Sequence, residues 1–447
     1  MKQLSLLRRG LLLLSLLASG GLAAQAQGVT IGAAGAPAPS AVLELKSTTG
    51  GLLLPRMTAA QRDAIPSPTN GLLVFQTDGT PGLYYYIGSG WVNLGTGQVP
   101  NASGNAGSSP AVRVSTLALI GSQKPDGTGI NVTSWDPYGI AGDGAGNVYV
   151  TDVLAIRKIV VATGVITTLA GPDVQSSFAV GSGGSFRGNV DGTGTSARFT
   201  NLTGLAYDGA GNLYVADAGN NNIRKIVVAT GVVSTLAGNG AQFSNPAGLA
   251  YDGAGNLYVA DAGNNNIRKI VVATGVVSTL AGTGTAGYTN GPVTTAQFRT
   301  PDGVACDRSG NVYVAEHYNH CIRKIGRGVV TTLAGGPATG TLGGQLVSDP
   351  VSGAADGTGT SARFNMPYDV AYDGAGNLYV TDQGNNRIRQ IVVATGVVST
   401  LAGSTAGNAD GTGATAQFAI PTHVACDGAG NVYVTDQSLP VIIRVIK

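Results

Sequence analysis

Few side chains in this 447-residue chain can do chemistry. It has three His, at 317, 320 and 423, and three Cys, at 306, 321 and 426. A short motif, P-x-G, opens a segment that recurs along the chain. Its third residue is Gly139, Gly204, Gly248 and Gly303 in four copies and becomes Asp369 and His423 in the last two. Tyr138, Asp302 and Tyr368 lie one residue earlier. A carboxylate beside an imidazole is either a satisfied structural hydrogen bond or an acid–base pair. His317 and His320, from EHYNHCIRKI, are expected two repeats away and farther out. That spacing argues against a three-His zinc centre, because zinc needs several ligands at one point. Asp-Gly-Thr-Gly occurs four times, at Asp126, Asp191, Asp356 and Asp410. These Asp are weak calcium candidates, since the spacing lacks the alternating acids of a calcium loop. Asp-Gly is first of all a turn dipeptide. No other cofactor is expected. There is no Ser-His-Asp elbow, and the GxG strings sit between β runs rather than opening helices.

The elements that must position these residues are repeats. GN[LV]YV occurs six times, at Asn147, Asn212, Asn256, Asn311, Asn377 and Asn431. Around each the order is constant: a strand such as GLAYD, a GAG turn, NLYVAD, a polar loop, NIRKIVV, an ATG turn and VVSTLAG. Residues 204–238 and 248–282 are identical. The Asp before each GAG turn (Asp143, Asp208, Asp252, Asp307, Asp373, Asp427) recurs in every copy, as turn chemistry does. The Arg of NIRKI (Arg224, Arg268, Arg323, Arg389) is expected to pair with a nearby Asp or with carbonyls. Each copy reads as four short strands, and one such sheet cannot bury both faces alone. Packed radially, six sheets cover one another as a β-propeller.

The pattern P-x-G-[LIV]-A-x-D-x-x-GN-[LV]-Y-V-[AT]-D-x-x-N-x-x-IRKI resembles the NHL-repeat family. That resemblance covers all six copies and implies an all-β, six-bladed propeller of four-stranded antiparallel blades. The sixth copy ends at Lys447 without a fourth strand. Val112 to Leu119, VRVSTLAL, matches that missing strand, so the N-terminal strand is expected to close the last blade and remove two free edges.

The rest of the chain sets the context. Residues 1–26 carry Lys2, Arg8 and Arg9 before an apolar core, Leu11 to Leu17, and end in Ala24-Gln25-Ala26, the pattern of a signal peptide. Residues 27–95 form a small α+β module. Thr58 and Gln61 make a capping box for a helix over Ala59 to Ala64. Leu72 to Thr77, Leu83 to Ile87 and Trp91 to Leu94 read as a meander. LLLPRMTAAQRDAI…YYYIGSGWVNL resembles modules of exported bacterial surface and tail-fibre-like proteins. Residues 96–111 read as a flexible linker and 112–447 as the propeller. Gly is 70 of 447 residues, which excludes a long helical protein. Without Lys2, Arg8 and Arg9 the 26 basic residues fall to 23 against 24 acidic, so nucleic acid is a poor partner. No segment after residue 26 reads as a membrane span. Cys306 and Cys426 read as small buried hydrophobes, and Cys321 as a partly exposed residue at a strand start.

The functional expectation is an exported protein, extracellular or at the cell surface, with the periplasm as alternative. It is expected to be non-catalytic and to bind a protein or glycan through the loops of one propeller face. The binding rim is expected at Tyr138, Asp302, Tyr368, Asp369 and His423. A lyase or lactonase-type enzyme with a channel site at Asp369 and His423 is the second expectation, and a structural surface protein the third. The sequence leaves the oligomeric state open.

Overall fold

A computed structural model of the chain describes residues 112–120, 137–172, 186–238, 242–336, 340–342, 345–347, 351–437 and 441–446. Before these it describes residues 29–32, 43–46, 54–66, 68, 72–79, 81–86 and 91–93. The signal-peptide expectation, the linker and Asp126 lie outside the described residues. The chain divides at 109/110 into two compact units. In the first, the helix spans Ala59–Asp63, and its Thr58–Gln61 capping box is complete. Strands Leu73–Gln76, Gly82–Tyr86 and Trp91–Asn93 pair as an antiparallel meander. Arg56–Met57 joins them in parallel, an addition too short to show as a sequence period.

In the second unit each repeat forms one four-stranded antiparallel sheet, and there are six among the described residues. Their first strands are Pro137–Gly142, Leu202–Tyr207, Pro246–Tyr251, Pro301–Cys306, Pro367–Tyr372 and Pro421–Cys426. These strands touch in sequence, and the last touches the first, so the sheets close into a ring. We number the blades one to six in that order. Both faces of each sheet are covered by neighbours. Between blades one and two, Tyr149 and Ile156 pack with Leu205, Leu213 and Ile226 in one dry cluster. The GAG turns are held by their Asp. Asp208 accepts from Ala210 N–H and Asn212 N–H at 2.8 and 2.9 Å.

The closing strand is Arg113–Ile120. It pairs antiparallel with Val441–Ile446 as the outer strand of blade six. The connections between blades do not all remain free loops. Gly192–Thr193, Gly291–Pro292, Gly357–Thr358 and Gly411–Thr412 each add a short fifth strand outside the blade they are about to enter. They use the backbone groups that an open outer edge would leave unpaired. Much of the variable sequence therefore covers the perimeter and leaves the channel mouth to the strand starts.

What fixes those starts is a buried charge cluster. The acid ending the second strand is Asp217, Asp261, Glu316 or Asp382 in blades two to five, and all four are fully buried. Each accepts an N–H from the incoming connection, at Thr200, Ser244, Arg299 and Asn365. Each also pairs with the Arg of the third strand, as in Arg224–Asp217 at 2.9 Å and Arg389–Asp382 at 2.7 Å. That Arg stacks on a Phe of the same connection, 5.0 Å for Arg224 over Phe199 and 5.1 Å for Arg389 over Phe364. In blades two and five the Asp-Gly-Thr-Gly acid adds a second carboxylate, and in blade six it is the carboxylate bridged to the Arg. Asp191, Asp356 and Asp410 lie 2.6, 2.7 and 2.6 Å from Arg224, Arg389 and Arg444. These three calcium candidates each have a guanidinium partner, in three different blades. No group of three acidic, His or Cys residues placed to hold a metal occurs among the described residues.

Blade three shares its local sequence with blade two, yet its shorter connection brings no second acid. Arg268 has Asp261 at 3.3 Å and is 17% exposed, where Arg224 is 0%. Two predictions follow from this architecture. Removing residues 28–111 leaves a propeller that melts as the parent does, whereas removal through Leu119 opens two strand edges and lowers Tm sharply; equal melting of the two truncations would disprove the clasp. Arg224→Ala strands a buried carboxylate and costs about 3–5 kcal/mol. Arg268→Ala costs less by about 1 kcal/mol or more, read from urea midpoints of the two variants.

Candidate functional site

The six first strands enclose a cavity of about 190 Å³ on the ring axis. Its middle is apolar, from Ile140, Leu205, Leu249, Val304, Val370 and Val424. Neighbouring first strands approach closely at their third residue. A Cβ on Gly204 would collide with the Ala247 carbonyl of the next blade, which is why Gly stands there. Asp369 and His423 break this rule, and their side chains occupy the cavity end where the strands begin. The space beside Gly303 is filled by the Asp369 carboxyl.

Asp369 is 8% exposed. Its Oδ1 accepts Val370 N–H at 2.8 Å, and its Oδ2 accepts Val424 N–H of the next blade at 3.1 Å. Burial outweighs these two donors and pushes its pKa up to about 7. Asp302 is also pushed up to about 7, by burial first and then by the Asp369 charge. His317 Nδ1 stands 3.6 Å from Asp302 Oδ2, beyond hydrogen-bond reach. No Arg or Lys pairs with either carboxyl among the described residues. His423 is 5% exposed, and its buried Nδ1 has no hydrogen-bond partner. Burial lowers its pKa to about 3, so it is neutral.

Aromatic rings link these groups into an arc. Tyr318 and His317 centroids are 4.8 Å apart, and His317 and Tyr368 are 5.7 Å apart. Tyr368 to His423 is 5.2 Å and His423 to Tyr138 is 6.1 Å. The last three pairs meet at 78°, 74° and 70°, so the rings stand as successive walls. The arc crosses blades four, five, six and one. Three Thr stitch blades five, six and one to their successors. Thr381, Thr435 and Thr151 accept the N–H of Asp369, His423 and Gly139 at 2.9, 3.0 and 2.7 Å. They donate to carbonyls of Thr422, Tyr138 and Thr203 in the following blade. Blades two, three and four have Ala216, Ala260 and Ala315 at that position.

The five rim residues named from sequence thus stand around one mouth. His317 corrects the expectation, since it joins the arc instead of lying apart. The signal was the pairing of Pro301 with Glu316, which puts the next residue beside the first strand's start. His320 stays outside the arc. It adopts φ 50°, and its Nδ1 accepts Met366 N–H at 3.0 Å. Asn221 and Asn265 do the same for Asn245 and Thr300, so His320 is a variant blade-to-blade acceptor. Cys321 is fully buried, not partly exposed, with its thiol 3.5 Å from Glu316. Cys306 and Cys426 line the far end of the cavity and are only partly buried. All three thiols are free.

The raised carboxyls give a pH signature. An acid held protonated by the fold stabilises at low pH, and that contribution is lost as pH rises from the unfolded value near 4 toward 7. We therefore expect Asp302→Asn to gain stability relative to the parent over this window, with a slope approaching ~1.4 kcal/mol per pH unit, and to level off above pH 7. Parallel pH profiles for the two proteins in urea unfolding would show that Asp302 is solvated.

Residues 243–270, 298–325 and 364–391 match the NHL repeat, and residues 30–108 match the phage tail like trimerisation region. The chain carries both. No relative matches among curated proteins. Among solved structures, a protein of unknown function from Bacteroides thetaiotaomicron VPI-5482 is similar at TM-score 0.57 and 19% identity, over 83% of this chain and 82% of that one. An auxiliary nutrient binding protein from Bacteroides ovatus ATCC 8483 is similar at TM-score 0.52 and 16% identity, over 75% and 76%. Another from B. thetaiotaomicron VPI-5482 gives 0.53 and 15%, over 83% of each chain. At these identities the likeness is one of fold.

Proposed function

We propose that this NHL-repeat chain is an exported, non-catalytic binding protein that takes a protein or glycan partner at the channel mouth. The observation that carries this reading is the convergence of an aromatic arc with Asp302, Asp369 and the partnerless Nδ1 of His423, at the end of the cavity that Asp369 and His423 line. A concave site with a few convergent polar groups is the common form of a ligand site. The GAG and ATG turns of the other face repeat almost unchanged and supply no such contrast. The basic n-region, apolar core and Ala24-Gln25-Ala26 support export. No described helix is long and apolar enough to cross a membrane. The phage tail like trimerisation match supports display in threes, which raises avidity for a repetitive partner without new contacts.

A second reading rests on a specific observation. Two carboxyls raised to about 7 beside a neutral His are groups suited to acid–base chemistry near neutral pH. Turnover of a lactone or lyase substrate panel, lost in Asp302→Asn, would support it over pure binding.

Asp369 bonds two blades through their N–H groups, so its removal perturbs the ring; the half-buried rings of Tyr138 and Tyr368 are the cleaner test. A ligand captured from glycan and surface-protein arrays is expected to be lost from Tyr138→Ser/Tyr368→Ser and kept by Ala210→Ser/Ala254→Ser in the GAG turns. The reverse pattern would place the site on the other face. In light scattering the mature chain is expected at three times its monomer mass.

A further inference from the structure

We infer that the channel mouth recognises an alkylammonium group, carried by a free primary amine or a lysine side chain. This inference rests on the binding reading above and names its chemistry.

The acceptors are set for a cation. Asp302 and Asp369 are neighbouring carboxyls with no Arg or Lys partner among the described residues. Elsewhere in the ring every strand-end acid of blades one to five is paired with a guanidinium. His423 adds a buried Nδ1 without a partner, on a ring that is neutral and so retains one accepting nitrogen. A primary ammonium has three N–H donors, and this end of the cavity offers two carboxyls and one imidazole. The Asp369 oxygens already accept N–H groups, and each carboxylate oxygen has capacity for a second donor.

The walls fit the same guest. Rings meeting near right angles form a cage around a compact cation and draw it by their negative faces. A sugar ring asks instead for one open, flat platform, which this arc does not offer. Below Asp369 and His423 the cavity is small, about 190 Å³, and its middle is walled by the side chains of Ile140, Leu205, Leu249, Val304, Val370 and Val424, so a charged head group finds its acceptors at the level of the carboxyls and not deeper. The head group would reach the level of Asp369 and His423, with its methylenes between Tyr138 and Tyr368.

Binding a cation here must release protons. Asp302 faces Asp369 and His317. His423 faces Tyr138 and Tyr368, and Arg299 stands behind Tyr318 at 5.6 Å. The carboxyls hold protons when the site is empty and lose them when a cation replaces them. Affinity is then expected to fall by up to about tenfold for each pH unit below 7, for each proton released.

The test is calorimetric titration of the mature protein at pH 8 with n-butylammonium, Nα-acetyl-lysine amide, tetramethylammonium, glucosamine and N-acetylglucosamine. Saturable binding is expected for the first two, at least ~10-fold tighter than for the others, because each N–H lost or blocked leaves an acceptor unpaired. Asp302→Asn, checked for an unchanged circular dichroism spectrum, is expected to weaken n-butylammonium by about 10-fold or more. Tyr368→Leu is expected to weaken it about 3–10-fold. At pH 6 the heat is expected to depend on the buffer's ionisation enthalpy. Binding of n-butylammonium alone places the group on free amines; binding of the lysine amide as well extends it to proteins. Failure of both amines to saturate overturns the inference, as does glucosamine binding tighter than either or affinity unchanged in Asp302→Asn. If both amines fail while an array partner is still lost from Tyr138→Ser/Tyr368→Ser, the ammonium assignment falls and the binding reading stands. If both amines bind, but the array partner survives those substitutions, the binding reading falls instead.

Discussion

The ring depends on one buried cluster repeated from blade to blade: a carboxylate at the end of the second strand, a guanidinium on the third, and a Phe of the incoming connection. Taking these charges from water costs several kcal/mol each and is offset only where partners are complete. Here the carboxylate has both the guanidinium and a backbone N–H from the connection, while the buried Nε of Arg224, Arg268 and Arg389 has no hydrogen-bond partner. The connection is thereby tied down two residues before each first strand begins. The next N–H is taken from the other side, by Asn221, Asn265 or His320 of the preceding blade. Thr300 and Met366 are held there at φ 48° and 52°, a conformation that costs a non-Gly residue on the order of 1 kcal/mol or more. The starts of the first strands of blades three, four and five are thus fixed from two blades at once, and the channel mouth is built from first-strand starts.

Against this pattern the mouth stands out for what it leaves open. Charge is matched in the clamps, and the GAG Asp residues are matched by N–H donors. Burial alone would raise Asp208, yet hydrogen bonds from Asn212, Ala210 and Tyr214 hold its carboxyl below the usual range. Asp302 and Asp369 have the burial without the cation. The asymmetry lies in one sector of the ring. Blades five, six and one carry the Thr stitches, and blades four to one carry the aromatic arc. Blades two and three, almost identical in sequence, supply Gly and Ala at the same positions and close the remaining wall. Near-identity in one sector and divergence in the other are two parts of one construction: a rigid frame and a differentiated edge.

The fold was legible because its causes are periodic. Strand length, GAG turns and the VRVSTLAL match are local signals, and they led to the blade sheets and the clasp. The rim was legible for a related reason. Asp369 and His423 interrupt a Gly position that the ring's close approach demands. His317 was not legible by that route. It follows the second strand, where Ala218 and Ala262 sit in blades two and three, and only strand register brings it beside Asp302. The role of the Asp-Gly-Thr-Gly acids was hidden as well. Their partners Arg224 and Arg389 lie 33 residues later in sequence, a separation no local pattern encodes. Cys321 was misjudged because a strand's first residue often faces solvent, while here it packs against a buried Glu316.

The central claim is that the mouth holds two carboxyls, the buried Asp369 and the largely buried Asp302, with no Arg or Lys partner among the described residues and poised for a charged guest. Its most direct measurement is a carbon-detected NMR titration of the Asp carboxyls, with Asp302 and Asp369 assigned through Asp→Asn variants. The account predicts that both stay protonated to near pH 7 in the free protein, while Asp143, Asp208, Asp252, Asp307 and Asp427 titrate below the usual carboxylate range, and that saturating n-butylammonium drives the mouth pair down. Titration of Asp302 and Asp369 near pH 4, with no response to the amine, would contradict it.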